Sequence, residues 1–317
     1  MRHFRTLFIF LLMVVSAFVL SAPAQQLRLP RPSPKASVMQ TIGVTDLTIT
    51  YSRPAVKGRT IWGEAPADAY AKGEATLDDQ NKRPAGMPIV PYGHIWRTGA
   101  NEATQFVVTD DVLINGQKLA AGSYSLHTIP DKNEWTIVFN ETANQWGSFS
   151  YDSKNDTLRV KAKPQPTDLQ EYLSFQIDPV RDNAATVSIR WERVRVPFTV
   201  EVPDITAVTL ARAKQAVAAA KADDFRTPLQ AAIYAKQNKA DVDAAVWFDR
   251  ALKAVDASIA AKETFQNLSA RANILFGAGR RNEALAAAEV AIVRGKAEKA
   301  DTAAFEKRFA DIKSGKL

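Results

Sequence analysis

One stretch of the sequence decides the fold, VRVPFTVEVPDITAVTLARA at residues 194–213. Apolar residues alternate with other residues from Val194 to Val202, which is the period of a half-buried β-strand. Beyond Pro203 the alternation stops and alanine, the best helix former, becomes frequent. The stretch therefore indicates the point at which a sheet half gives way to a helical half.

The composition of the whole chain changes at the same point. Fifteen of the 16 prolines and ten of the 14 glycines precede Asp204, whereas the last 114 residues contain 32 alanines and one proline. Proline and glycine disfavour helices and mark turns. We therefore predict a β + α two-domain chain, with a β domain over residues 37–203 and an α-helical domain over residues 204–317.

Period-two alternation recurs through the first half, with apolar residues on one face of each predicted strand. The sets are Leu47, Ile49 and Tyr51; Trp135, Ile137 and Phe139; Leu173, Phe175 and Ile177; and Val187, Ile189 and Trp191. Asn115-Gly116 predicts a hairpin, and Pro197 predicts an edge or a bulge in its strand. About nine or ten strands with no long helix between them predict an antiparallel β-sandwich or jelly-roll-like domain.

Three other segments of the first half are not predicted to belong to the sheets. Residues 1–24 hold two arginines, an apolar run and the sequence Ala22-Pro23-Ala24, which is typical of a cleaved secretory signal peptide. An uncleaved membrane anchor is the alternative, but the apolar run is shorter than the ~20 residues that span a bilayer. We predict that residues 25–36 form an extended leader. We also predict that residues 64–88 form a surface loop with a helical turn at residues 65–71.

The helical half contains two segments, residues 243–252 and 279–291, that resemble the second helix of a tetratricopeptide unit. Matching alanines, Ala244 and Ala284, are 40 residues apart instead of the usual 34, so the repeat is degenerate. Residues 227–230, Thr-Pro-Leu-Gln, predict a capping box at a helix start. Such repeats bind proteins or peptides, although a helical cap without a partner is an equally open interpretation.

Several kinds of chemistry are not expected. The chain has no cysteine, which excludes a disulfide scaffold and a thiol nucleophile. The net charge is zero over residues 25–203 and +5 over residues 204–317, spread over helices with one tryptophan, so we expect no nucleic-acid binding. Outside the signal only His94 and His127 remain, without the spacing of a zinc site or the elbow of a serine hydrolase. We expect no metal and no cofactor.

Three motifs in the β half are distinctive. They are YSRPAVKGR at residues 51–59, PYGHIWRTGANEAT at residues 91–104, and a third that runs from AGSYSL at residues 121–126 to QWG at residues 145–147. Together they resemble the exported bacterial family called domain of unknown function 2911, over roughly residues 36–202. The resemblance implies no reaction, substrate or cofactor. The family pattern lacks residues 64–88 and requires no histidine at positions 94 and 127, so a site common to the family would not depend on histidine.

Polar and aromatic residues of the first two motifs are the candidate ligand-binding residues. They are Arg53, Lys57, Arg59, Trp96, Arg97, Asn101 and Glu102. If the motifs adjoin in space, they form a basic and aromatic cleft for an anionic or sugar-like small ligand, because arginine binds planar anions and tryptophan stacks on rings. The alternative is an internal ion pair between Arg97 and Glu102 that fixes the loop, with Trp96 and Trp62 in the core.

Two functional classes remain open. The first is an exported, non-enzymatic module with a ligand on the sheet domain and a protein or peptide on the helices. The second is a hydrolase or lyase acting on cell-envelope or carbohydrate substrates, with Glu102 and Asp131 as acid and base. Two carboxylates about 5–10 Å apart across an open cleft would favour the enzyme, whereas a buried, salt-bridged Glu102 would favour the module.

Export of the protein to the periplasm or the medium is the first testable expectation. We expect N-terminal sequencing of the mature protein to begin at or close to Gln25, because Ala22-Pro23-Ala24 provides the small-x-small signal for the peptidase. Recovery of the protein from the cytoplasm with Met1 intact would contradict the exported interpretation.

Overall fold

The computed structural model describes residues 29–65, 73–76 and 86–317. A β half precedes six α-helices, so the predicted β + α order is confirmed. The predicted signal peptide lies outside the described residues. The predicted helical turn at residues 65–71 also lies outside them, apart from its first residue.

Fourteen strands are described in the β half. They are β1 (Lys35–Ile42), β2 (Thr45–Ser52), β3 (Trp62–Gly63), β4 (Gly73–Thr76), β5 (Val90–Pro91), β6 (His94–Ile95), β7 (Thr104–Val108), β8 (Val112–Ile114), β9 (Gln117–Leu119), β10 (Gly122–Ile129), β11 (Trp135–Asn140), β12 (Asp156–Ala162), β13 (Gln165–Val180) and β14 (Ala184–Glu201). Because β4 lies within residues 64–88, the loop predicted there contains a strand.

Ten of the strands form two antiparallel sheets, ordered β1-β2-β7-β10-β11-β12 and β13-β14-β8-β9, and two short parallel pairs join β3 to β5 and β4 to β6. The Asn115-Gly116 turn has both residues at positive φ and joins β8 to β9, as the hairpin signal predicts. β14 pairs with β13 up to Arg195 and with β8 from Val200. Pro197 lies between these two ladders, where its missing N–H disrupts neither.

The two sheets pack face to face around one apolar core. The predicted alternating sets point into it, and Phe106 and Phe139 of the larger sheet lie 6.4 and 6.3 Å from the ring of Phe198 in the smaller sheet. The β half is therefore a sandwich, in agreement with the alternation of its sequence.

Four tryptophans form a cluster at one end of this core, namely Trp62, Trp96, Trp135 and Trp191. Trp135 belongs to the larger sheet and Trp191 to the smaller one. Trp96 stacks on Trp191 with ring centroids 5.9 Å apart and an angle of 17° between the rings. Since large aromatic side chains dominate core energetics, this cluster ties the two sheets together where the loop that carries Trp96 meets them.

Six helices make up the second half. They are α1 (Ile205–Ala219), α2 (Arg226–Gln237), α3 (Asp241–Ala261), α4 (Phe265–Gly277), α5 (Arg281–Ala297) and α6 (Ala303–Lys313). Consecutive helices pack on one another, and the matching alanines of the two tetratricopeptide-like segments, Ala244 in α3 and Ala284 in α5, are buried. The predicted capping box is wrong: α2 begins at Arg226, and the side chain of Asp224 accepts the N–H groups of Arg226 and Thr227. A carboxylate three residues before Thr227, the predicted cap, therefore accepts the first N–H groups of this helix.

Helix α1 packs against both halves of the protein. Ile205 and Val208 contact the sandwich core, whereas Leu210 and Val217 contact the helical core. Ile205 also lies against Gly43, where an added Cβ would approach its Cδ1 to 2.7 Å. The composition break at Pro203 is therefore not a break in packing, because the first helix covers one end of the sandwich.

The side chain of Arg212 in α1 binds the end of the sandwich that α1 covers. Its guanidinium donates to Asp110 Oδ2 at 2.5 Å, to Thr109 Oγ1 at 2.8 Å and to the carbonyl oxygen of Val44. These groups follow β7 and precede β2, so one side chain ties two strand ends to a helix. Within the described parts of the chain, no helix is long and apolar enough to cross a bilayer.

We expect Arg212→Ala to lower the free energy of unfolding by about 1–3 kcal/mol, because hydrogen bonds to charged groups contribute about that much. Chemical denaturation of the full chain measures it. Arg193→Ala is the matched control: its side chain is largely exposed and lies 4.0 Å from the carboxylate of its chain neighbour, Glu192, so it should change stability by less than about 0.5 kcal/mol. Equal effects of the two changes would mean that α1 is held by Ile205 and Val208 alone.

Candidate ligand-binding site

Residues 96–104, which link β6 to β7, form a loop closed by its own hydrogen bonds. Trp96 and Thr128 exchange both backbone hydrogen bonds, at 2.8 and 2.9 Å, which ties the loop to β10. The hydroxyl of Thr104 donates to the carbonyl of Thr98 at 2.8 Å. Thr98 and Asn101 adopt positive φ angles of 52° and 60°, so the chain turns sharply at both. The loop is a fixed element of the sandwich.

Arg97 and Glu102 do not form the predicted ion pair with each other. Arg97 is 9% exposed, and its Nη1 donates to the carbonyl of Asn101 at 2.7 Å. Glu102 instead accepts from Nη1 of Arg31 through Oε1, also at 2.7 Å. The predicted leader thus packs across the outside of the loop, and Asn101 adds a bond from its amide to the carbonyl of Ser33.

The first two motifs lie next to each other, as the predicted cleft requires, but they contact each other through the backbone. A Cβ at Gly99 would lie 3.1 Å from the carbonyl oxygen of Ser52. The basic side chains turn elsewhere: Arg53 donates to the carbonyl of Leu173 at 2.8 Å, and Arg59 to that of Ala55 at 2.5 Å. Lys57 is exposed, and Trp96 is buried in the tryptophan cluster. The predicted basic and aromatic cleft is therefore not assembled from these residues.

A different cleft, of about 260 Å³, opens beside the loop. Its lining consists of Lys35, Thr50, Tyr51, Ser52, Glu102, Ala103, Gln105, Ala143, Asn144, Gln145 and Trp146. Of the seven candidate residues only Glu102 lines it. Trp146 is 55% exposed, and it pairs with Glu102 across an isolated β-bridge, so the second and third motifs meet here.

Most of the cleft-lining residues are absent from the sequence-based candidates. The third motif contains Gln145 and Trp146 and could have pointed to these two lining residues. Alternation in the sequence, however, does not distinguish an exposed tryptophan from one in the core. Lys35 lies on β1, and only the pairing of β1 with β2 and of β2 with β7 brings it near Glu102. Residues that meet through sheet register leave no local pattern in the sequence.

The charge of Glu102 is balanced by neighbouring cations. Burial alone would raise its pKa, but the hydrogen bond from Arg31 and the charges of Arg31 and Lys35 outweigh burial and lower the pKa. The carboxylate is therefore ionised at neutral pH. Its second oxygen, Oε2, is buried and has no hydrogen-bond partner among the described residues, and the same holds for Oε1 of Gln145.

A buried polar chain lies behind the cleft. The two ring nitrogens of His127 lie 3.1 Å from Ser125 Oγ and 3.2 Å from Ser148 Oγ, and Gln145 Nε2 donates to Ser125 Oγ at 3.0 Å. Burial, with the nearby charge of Arg97, lowers the pKa of His127 to about 3. The ring is therefore neutral, and serines occupy both its nitrogens, whereas a Ser-His-Asp triad needs a carboxylate at one of them.

The other candidate groups for chemistry lie apart from the cleft. His94 is buried in β6, and Asp131 follows β10 without lining the cleft. Among the residues that the structure covers, no group of three or more histidine, aspartate or glutamate side chains is arranged to hold a metal ion.

Comparison with known proteins gives one match. The model of the family described as "Protein of unknown function (DUF2911)" matches residues 33–200, which cover the sandwich and every residue of the cleft. Searches of curated proteins and of solved structures give no match.

Because Arg97 is buried and Glu102 is half-exposed, we expect their alanine variants to differ in stability. Arg97→Ala should lower the free energy of unfolding by about 2–4 kcal/mol, because it removes a buried side chain and its bond to Asn101. Glu102→Ala breaks a half-exposed ion pair and should cost about 0–1 kcal/mol. Urea denaturation of both variants measures this. Similar large losses in both would restore the idea that the two residues stabilise the loop jointly.

Proposed function

Since the chain belongs to the DUF2911 family of proteins of unknown function, we propose its role from its own geometry: an exported, non-enzymatic binding module. In this proposal the cleft beside the loop at residues 96–104 holds a small ligand, and the helices hold a protein or peptide partner. The signal-peptide pattern of residues 1–24 supports export.

The exposed indole of Trp146 is the observation that carries the proposal. It is 55% exposed at the rim of a concave, polar cleft, whereas the four tryptophans of the core cluster are buried or half-buried. A large apolar ring left in water beside hydrogen-bonding groups is typical of a binding surface, because such a ring contributes much contact area at low entropic cost.

The carboxylates of the cleft support binding over catalysis. Glu102 is the one acidic residue among the described lining residues, and it is ion-paired with Arg31. Asp131, the other carboxylate that the hydrolase or lyase alternative would use, does not line the cleft. Acid–base hydrolysis of a glycoside commonly uses two carboxyl groups that flank one bond. A single, charge-balanced carboxylate suits ligand positioning better.

Exposed valines on two helices support the partner-binding part of the proposal. Val242 and Val246 of α3 are 80% and 59% exposed, and Val290 and Val293 of α5 are 54% and 71% exposed. α3 and α5 are the helices that carry the tetratricopeptide-like segments, and repeats of that kind bind partners along their surfaces.

We expect the small-molecule fraction of a cell-envelope extract to raise the melting temperature of the wild-type protein, and native mass spectrometry to show a bound species. Trp146→Ala should weaken that binding at least tenfold, because truncating a central aromatic contact typically costs about 2 kcal/mol. Leu169→Ala is the matched control, since Leu169 is equally exposed but lies on β13 outside the cleft.

Three results would count against the proposal. Full binding by Trp146→Ala would place the ligand elsewhere on the protein. Release of a chemically altered molecule would favour the hydrolase or lyase. The absence of any bound species would remove the small-ligand function.

A further inference from the structure

We propose that the cleft selects a neutral, hydroxyl-rich ring, such as a sugar, which donates hydrogen bonds to Glu102 Oε2 and Gln145 Oε1 and stacks on Trp146. This inference rests on the proposed binding function and names the class of its ligand. It follows from how the surrounding groups orient the polar atoms of the cleft.

The orientation of the Gln145 amide is fixed by its neighbours. Its Nε2 lies 3.2 Å from the carbonyl oxygen of Thr142, which can only accept a hydrogen bond, and 3.0 Å from Ser125 Oγ. The two N–H donors of the amide are thus used on the inner side. A flipped amide would place two acceptor oxygens against each other at Thr142. Gln145 must therefore present its carbonyl oxygen, Oε1, on the other side.

The buried chain behind Gln145 holds this orientation. Ser125 Oγ accepts from Gln145, so its own hydroxyl proton needs an acceptor, and the nearest is Nε2 of the neutral His127 ring at 3.1 Å. His127 then carries its proton on Nδ1 and donates to Ser148 Oγ at 3.2 Å. The amide of Gln145, the hydroxyl of Ser125 and the Nδ1–H of His127 thus each have an acceptor. His127 acts as a positioning residue for the amide.

Two acceptor oxygens are left without donors on two residues that line the cleft. Glu102 uses Oε1 for Arg31, while its Oε2 and Gln145 Oε1 are buried and have no hydrogen-bond partner among the described residues. Both residues line the cleft, and the backbone N–H of Ala103 bonds to the carbonyl of Gln145 at 3.0 Å, which holds the two segments side by side. Buried acceptors without a donor call for a bound partner that supplies one.

The charge around these acceptors decides the class of donor. An anionic ligand would bring further acceptor oxygens to Glu102 and Gln145, and unsatisfied polar pairs of this kind are unfavourable. A cationic ligand would find the charge of Glu102 already balanced by Arg31 and Lys35. Neutral hydroxyl groups satisfy both oxygens without adding charge, and a cleft of about 260 Å³ beside an exposed indole is of the size of one or two such rings.

Four matched sugars test this inference by calorimetric titration of the mature full chain. They are N-acetylglucosamine and glucose as neutral rings, glucuronate as the anionic ring, and glucosamine as the cationic ring. We expect a neutral ring to bind, glucuronate to bind at least about tenfold more weakly, and glucosamine to bind no more tightly than the neutral rings. Tighter binding of glucuronate or glucosamine would overturn the ligand class and leave the binding function standing.

Two variants locate the acceptors. Gln145→Met should weaken binding of the neutral ring at least about tenfold, because it removes an acceptor oxygen. Glu102→Gln should weaken it by a similar factor, because a neutral amide replaces the carboxylate and the charge-assisted hydrogen bond to the ring is lost. Glu134→Gln and Gln170→Met are the controls, since Glu134, which precedes β11, and Gln170, on β13, both lie outside the cleft. Thermal melts check that each variant is folded. If Gln145→Met does not fold, Glu102→Gln alone tests the inference. Unchanged affinity in a folded variant would overturn the inference.

Failure of the ligand class and failure of the function give different results. If no ring of the series binds but the envelope fraction still yields a species that depends on Trp146, the ligand class is wrong and the cleft is still a binding site. If neither the rings nor the envelope fraction binds, the proposed function itself is wrong.

Discussion

The reciprocal backbone hydrogen bonds between Trp96 and Thr128 are the constraint on which both the core and the cleft depend. They fix the loop at residues 96–104 to β10. On the inner side this places Trp96 between Trp135 and Trp191, which belong to different sheets. On the outer side it places Glu102 at the wall of the cleft. One short loop is thus part of the core on one face and part of the wall of the cleft on the other.

This double role explains why the two charged residues of the loop, Arg97 and Glu102, act separately. Asn101 lies between them at a φ of 60° and turns the chain, so that its carbonyl accepts from both Arg97 and the N–H of Gly147. Glu102 then lies on the outer side with Arg31. The buried guanidinium of Arg97 donates to the carbonyl of Asn101 and stabilises the loop, while the half-exposed carboxylate of Glu102 keeps one oxygen without a donor among the described residues. Opposite charges five residues apart need not form a pair when the backbone between them reverses direction.

The sandwich and the helix pairs could be predicted because periodicity reports directly which residues face a core. Leu173 and Phe175 on β13 alternate with polar residues, as do Ile189 and Trp191 on β14, and all four are buried accordingly. The cleft could not be predicted in this way. Its residues come from β1, β2, β7 and two loops, and the pairing of strands alone places Lys35 beside Glu102. Sequence proximity also misled for Arg53 and Arg59, because their positions in the chain do not fix the direction of long side chains that bind nearby carbonyls. Helix α1 was likewise assigned to the helical half by composition, although it also covers the sandwich.

The sheet also separates the two proposed binding regions. The cleft lies at the end of β7 that begins with Thr104 and Gln105, whereas Asp110, the partner of Arg212, follows the other end of this strand. The same holds for β2: Ser52 at its end lines the cleft, whereas Val44, just before its start, accepts a hydrogen bond from Arg212. Five residues of extended chain span about 16 Å, so a ligand in the cleft does not touch the joint with α1. Coupling between a ligand and a helix-bound partner would therefore have to pass along hydrogen-bonded strands, which deform little. The geometry favours a module that holds both at once over one in which either displaces the other.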